Sequence, residues 1–153
     1  MSTAGIYVEG LRTTRRKLKE LPGNAKEELS KASNKIARVT GDEARRRFVA
    51  LGRQGPLVGG TLRTVEGLVP TLRVGGTSRL GRNHKPAFKL LYGTEFGSNK
   101  YKQFHAAHTG TTGRALWPTV RAKADYMVEE WGRAVDEVVR KFGEGGDGAE
   151  EAL

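Results

Sequence analysis

The three histidines, His84, His105 and His108, are the side chains here best suited to metal or acid–base chemistry. His105 and His108 stand three residues apart, a spacing that can bring two imidazoles to one zinc ion. A catalytic zinc needs three protein ligands and an ordered base, and Glu95 is the one carboxylate nearby. Gly76-Thr77-Ser78-Arg79-Leu80-Gly81-Arg82-Asn83 resembles a phosphate loop but fails at its reactive positions. Arg82 stands where the lysine belongs and Asn83 where the metal-binding hydroxyl belongs. Ser78 and Ser98 have no acid–base relay at a recognisable spacing, and cysteine is absent. The paired carboxylates, Glu129-Glu130 and Asp136-Glu137, fall mostly off the apolar stripe of the last helical segment. These patterns predict a protein that is not an enzyme and uses no metal and no cofactor.

Lys100-Tyr101-Lys102-Gln103-Phe104 interleaves cations with rings. Cations neutralise phosphates and rings stack on bases, so the stretch suits nucleic acid. The same residue types anchor protein interfaces. No nucleic-acid motif of known spacing accompanies them, which favours the protein interface and leaves a basic DNA-binding protein as the alternative.

The elements that would position these residues are legible from periodicity. Ile6-Tyr7-Val8 is a short apolar run fit for a strand or a docking arm, and Pro22-Gly23 breaks the segment that follows it. Asn24 is a candidate helix cap with Glu27 three residues on. Leu29, Ala32, Ile36, Thr40, Ala44, Phe48 and Leu51 then recur every three to four residues, one face of a helix of roughly 25 residues. Arg45, Arg46 and Arg47 lie where the helix macrodipole favours cations. Thr61–Val65 alternates, Leu68–Val74 follows around Pro70, and Gly75–Lys85 reads as an exposed hairpin tip. Ala87–Tyr92 is the expected central strand, with Gly93 turning the chain into a loop over residues 94–115. A loop this long is uncommon in a compact domain. Pro118 suits the first turn of a helix, and Val120, Ala124, Met127, Trp131, Val135, Val138 and Phe142 mark its stripe up to Gly143.

These elements predict an α+β fold, a small antiparallel sheet packed against a long N-terminal and a long C-terminal helix. One domain is expected over residues 1–143, with a flexible acidic tail over 144–153. No membrane span and no signal peptide are expected. The net charge is +10. Residues 51–119 hold 10 basic and 2 acidic side chains, whereas residues 120–153 hold 5 basic and 9 acidic. Opposite signs at the two ends would let copies of the chain attract one another.

Three segments carry a family resemblance. Val8-Glu9-Gly10-Leu11 leads to Leu18-Lys19-Glu20-Leu21-Pro22, Leu91-Tyr92-Gly93-Thr94 stands mid-chain, and Ala115-Leu116-Trp117-Pro118-Thr119 opens the last helix. In order and spacing they resemble the tail-completion and neck proteins of long-tailed bacteriophages, the siphophage head–tail connection family. Trp117 departs from that family's commoner Phe or Leu, and the long basic loop is also a departure. The resemblance implies a virion structural protein made in the bacterial host cytoplasm. It would assemble as a hexameric ring with other neck and tail proteins at the head–tail junction, completing or capping the tail, with transient contact to passing genomic DNA and none to a membrane.

A closed ring needs two different faces that meet. The expected basic and aromatic face comprises Arg79, Arg82, Tyr92, Phe96, Lys100, Tyr101, Lys102, Phe104 and Trp117. The expected acidic face comprises Glu129, Glu130, Asp136 and Glu137. The loop over 94–115 is expected to grip the neighbouring copy.

Overall fold

The computed structural model describes Arg16, residues 18–104 and residues 112–150, with side chains described as far as Lys141. Its elements are α1 (Gly23–Ala50), α2 (Gly55–Gly59), β1 (Arg63–Val65), β2 (Thr71–Arg73), β3 (Arg79–Leu80), β4 (Lys85–Pro86), α3 (Ala87–Phe96) and α4 (Leu116–Glu150). The fold is α+β, with short antiparallel strand pairs beside two long helices.

Pro22 ends the preceding segment and serves as the N-cap of α1, so the helix starts one residue before the expected Asn24 cap. No side-chain capping bond forms there, and the Asn24–Glu27 capping box is not made; Asn24 Oδ1 accepts instead from the Ala25 N–H at 3.1 Å. The apolar stripe is as the spacing predicts: Leu29, Ile36, Ala44 and Phe48 are fully buried. The arginine triplet turns back onto its own helix. Arg45 pairs with Asp42 at 3.0 Å, and Arg46 and Arg47 pair with Glu43 at 2.7 and 3.4 Å. The hydrogen bonds from Arg46 and Arg47 hold the Glu43 carboxyl below the usual carboxylate range.

α4 packs antiparallel on α1. Val138 meets Ala25 and Leu29, Trp131 Nε1 donates to Ser33 Oγ at 3.2 Å, and Lys141 Nζ bonds Glu28 Oε1 at 2.7 Å. Ala124, assigned to the buried stripe by spacing, is exposed, because the stripe drifts toward Lys123 and Met127. The backbone stays helical through Glu150, past the expected stop at Gly143. Among the described residues no helix is long and apolar enough to cross a membrane.

Among the described residues the strands form two separate two-stranded pairs, and the expected strand Ile6-Tyr7-Val8 lies outside those residues. In β1–β2 Arg63 faces Arg73, Thr64 faces Leu72 and Val65 faces Thr71. In β3–β4 Arg79 faces Pro86 and Leu80 faces Lys85. The expected central strand Ala87–Tyr92 is the helix α3. Its buried residues, Ala87, Leu90 and Thr94, follow helical spacing, while Phe88 and Tyr92 point outward. A short apolar run fits either element, and here the contact with the core decides. That core gathers Ala44 and Phe48 of α1, Val58 of α2 and Leu90 of α3 with Leu62, Phe104 and Ala115 of the connecting segments. Gly55 makes it possible for α2 to pass under α1, since a Cβ there would lie 2.0 Å from the Phe48 carbonyl oxygen.

Candidate functional site

The passage from Tyr92 to Pro118 is organised by one carboxylate. Glu95, near the end of α3, is 1% exposed. Its Oε1 accepts from the backbone N–H groups of Trp117 at 2.8 Å and Arg114 at 3.2 Å. Its Oε2 accepts from Leu116 at 2.9 Å and Ala115 at 3.0 Å. These donors are at the start of α4, where a helix leaves its first N–H groups without partners of its own. A negative charge also complements the positive end of the macrodipole. Glu95 thus caps α4 from a different helix. Both of its oxygens are engaged by these four donors. Its role was not read from the chain, where it stood out merely as the lone carboxylate near the histidine pair. One signal was present: α4 opens at Leu116 without a Ser, Thr, Asp or Asn before it to cap it.

Two glycines make room for this arrangement. Gly113 has φ +76°, and a Cβ there would lie 2.4 Å from Glu95 Oε1 and 2.8 Å from Trp117 Cβ. Gly93 lies within α3, where a Cβ would meet the Phe104 ring at 2.4 Å. Phe104, assigned by sequence to the subunit surface, is therefore a core residue, 9% exposed, because Gly93 leaves a flat seat for its ring. The turn expected at Gly93 comes at Gly97, with φ +78°. The loop starts there, and its described first part is tied down. Ser98 Oγ accepts from Lys100 and Tyr101 N–H at 3.2 and 3.1 Å, and Arg53 Nη1 donates to the Lys102 carbonyl.

The outward side of this unit is aromatic. Phe88 and Tyr92 are each 49% exposed one helical turn apart, and Tyr92 stacks on Phe96 with ring centroids 6.3 Å apart. Tyr101 is exposed, with Lys100 Nζ 5.2 Å from its ring centroid. Trp117 is half-buried beside the Glu95 cap. Arg79 and Arg82 lie apart from this unit in chain order, on the β3–β4 hairpin that leads into α3, and Arg79 Nη1 donates to the His84 carbonyl at 3.1 Å.

The acidic set divides in two. Glu130 pairs with Arg133 at 3.3 Å and Lys35 at 3.9 Å, and Glu137 pairs with Arg140 at 2.6 Å and Lys141 at 3.6 Å. These two carboxylates, counted by sequence toward a partner's surface, are engaged within the protomer. The Arg140 hydrogen bond holds Glu137 below the usual carboxylate range and raises Arg140 in return. Glu129 and Asp136 are exposed and form no ion pair among the described residues.

His84 is exposed at the tip of the β3–β4 hairpin, whereas His105 and His108 lie outside the described residues. No group of three or more His, Cys, Asp or Glu among the described residues could hold a metal ion. Residues 76–83 span a turn, β3 and a second turn, so the stretch resembling a phosphate loop does not connect a strand to a helix N-terminus. A separate apolar cleft of about 220 Å³ lies between α1, the β1–β2 hairpin and α4, lined by Ile36, Thr40, Pro70, Leu72, Val120 and Met127. Comparison of the chain with protein-family models, with curated proteins and with solved structures found no match in any of the three.

Proposed function

We propose that this chain is a structural protein of the bacteriophage head–tail connection, a ring-forming component that completes or caps the tail and joins it to the head in the virion. It acts by assembly, without catalysis or cofactor. The resemblance of Tyr92-Gly93-Thr94 and Leu116-Trp117-Pro118 to that family first suggests it. The observation that carries it is the exposed aromatic face of α3. Phe88 and Tyr92 are large rings held outward on a helix whose inner side is fixed in the core and whose end is locked to α4 through Glu95. Rigid exposed aromatics are characteristic anchors of protein interfaces. Glu129 and Asp136 on α4 are free to meet a neighbour's cations, so one protomer offers two unlike faces, as ring closure requires.

Light scattering on the purified protein, with and without the double substitution Phe88→Ser and Tyr92→Ser, tests assembly. The unchanged protein should form a defined oligomer and the variant should be monomeric with an unaltered circular dichroism spectrum. Electron microscopy of virions lacking the protein tests its place. Separate heads and tails are expected, and intact tailed particles would refute the assignment.

A further inference from the structure

We infer that the two hairpins and the start of α3 form a binding face for the phosphate backbone of nucleic acid. The β1–β2 hairpin presents Arg63 and Arg73, the β3–β4 hairpin presents Arg79, Arg82 and Lys85, and all five are exposed. Arg53, Lys89, Lys100 and Lys102 are exposed as well. Against these nine cations residues 51–104 hold two carboxylates, Glu66 and Glu95, and Glu95 is buried under the α4 N-terminus. Among the described residues every ion pair is formed by side chains of α1 and α4, and none involves these nine.

The elements that carry Arg73, Arg79, Arg82, Lys85 and Lys89 are in contact. Gly75, just past β2, lies against the backbone of Phe88, and the Ala87 N–H donates to the Ser78 carbonyl at 2.9 Å. The end of β2, the start of β3 and the first turn of α3 are therefore in contact. That turn has no acidic residue and no side-chain cap, so the helix end adds to the positive potential.

Two arguments give the partner's chemistry. Arg63 and Arg73 are direct cross-strand partners, a like-charge pairing that weakens a hairpin, and general solubility does not call for it. A polyanion with closely spaced charges turns that repulsion into attraction, and duplex DNA carries one charge per about 1.7 Å of its axis. A second copy neutralises this face only in part, because Glu130 and Glu137 on its α4 are already paired within the protomer. Among the described residues of α4, Asp125, Glu129 and Asp136 are the exposed carboxylates outside any ion pair, fewer than the nine cations. The face is sequence-independent, since its cations suit phosphates, and phosphate contacts carry no sequence information directly. It stands whether or not copies of the chain close into a ring.

Fluorescence anisotropy of the full chain with a 30-base-pair duplex and a 30-nucleotide single strand, in 50 to 300 mM KCl, tests this. The unchanged protein should bind with an affinity that falls steeply with salt. Arg82→Gln with Lys85→Gln, and separately Arg63→Gln with Arg73→Gln, should each reduce the duplex log–log slope by about 0.9 for every phosphate contact removed. Arg63→Lys with Arg73→Lys should keep the slope, and Arg133→Gln, whose side chain is paired with Glu130, should leave it unmoved. Tighter binding of the duplex than of the single strand at the same salt concentration would identify the duplex as the partner, and the reverse would identify the single strand. No binding at 50 mM salt, or a slope insensitive to both glutamine pairs in folded protein, would overturn the inference. Equal or tighter binding of polyglutamate or of vesicles rich in anionic lipid would also overturn it. A monomer that retained the slope would count against the ring alone.

Discussion

Glu95 and Trp117 are 22 residues apart in the chain, yet Glu95 Oε1 accepts the Trp117 backbone N–H at 2.8 Å. This bond and its three neighbours join the end of one helix to the beginning of another across the long loop. Glu95→Ala should lower stability by about 2–3 kcal/mol, because a charged acceptor is lost and buried donors are left unpaired. Glu95→Gln should restore part of that, keeping one acceptor oxygen. Urea unfolding measures both, and a loss below about 0.5 kcal/mol for alanine, within the range of ordinary surface substitutions, would show that the cap does not hold the helix.

Gly93 and Phe104 form the second lock. A methyl group at Gly93 would collide with the ring, so Gly93→Ala should destabilise by about 1–3 kcal/mol through overpacking. Phe104→Leu alone should also destabilise, but the two together should lose less than their sum. A double-mutant cycle on unfolding free energies checks this, and strict additivity would place the ring away from Gly93.

Thr40 Oγ1 is buried without a hydrogen-bond partner, beside the apolar cleft. Thr40→Val keeps the shape and removes the unsatisfied hydroxyl. It should raise stability by about 1 kcal/mol, visible as a higher thermal midpoint. A lower midpoint would mean that the hydroxyl is satisfied in solution.

The carboxyls of Glu43 and Glu137 are held below their usual value of 4.5 by arginine hydrogen bonds. A depressed folded pKa gives stability that is complete above the unfolded value and is lost as pH falls through the folded one. Thermal midpoints of the unchanged protein should therefore fall more between pH 5 and the acid limit than those of Glu43→Gln with Glu137→Gln. Lys141 has the opposite sign. Its pKa is raised chiefly by the Glu28 hydrogen bond between the two long helices, so its contribution is complete below its usual 10.5 and lost as pH rises through the folded value. Lys141→Met should flatten the alkaline limb chiefly, and the acid limb slightly, because Lys141 also pairs with Glu137. Parallel curves for variant and parent on either limb would remove that pair from the account, and added salt should shrink both effects because these groups are exposed or half-buried.

The chain by itself determined the two long helices, the β1–β2 hairpin and the uneven distribution of charge. Helical periodicity from Leu29 to Phe48 and from Val120 to Val138 is local, and so is alternation from Thr61 to Val65, so each is visible in a short window. Tertiary structure decided the rest. Ala87–Phe96 satisfies a strand or a helix equally well as an apolar run, and packing of Leu90 into the core selects the helix. Phe104 looks like a surface ring until Gly93 is placed beneath it, and Glu130 and Glu137 look free until their arginine and lysine partners are in position. The cap on α4 was the least legible, because Glu95 reaches its donors only after the chain between them has closed a loop. Which distant backbone groups a side chain meets is a property of that closure, and no periodicity in the chain records it.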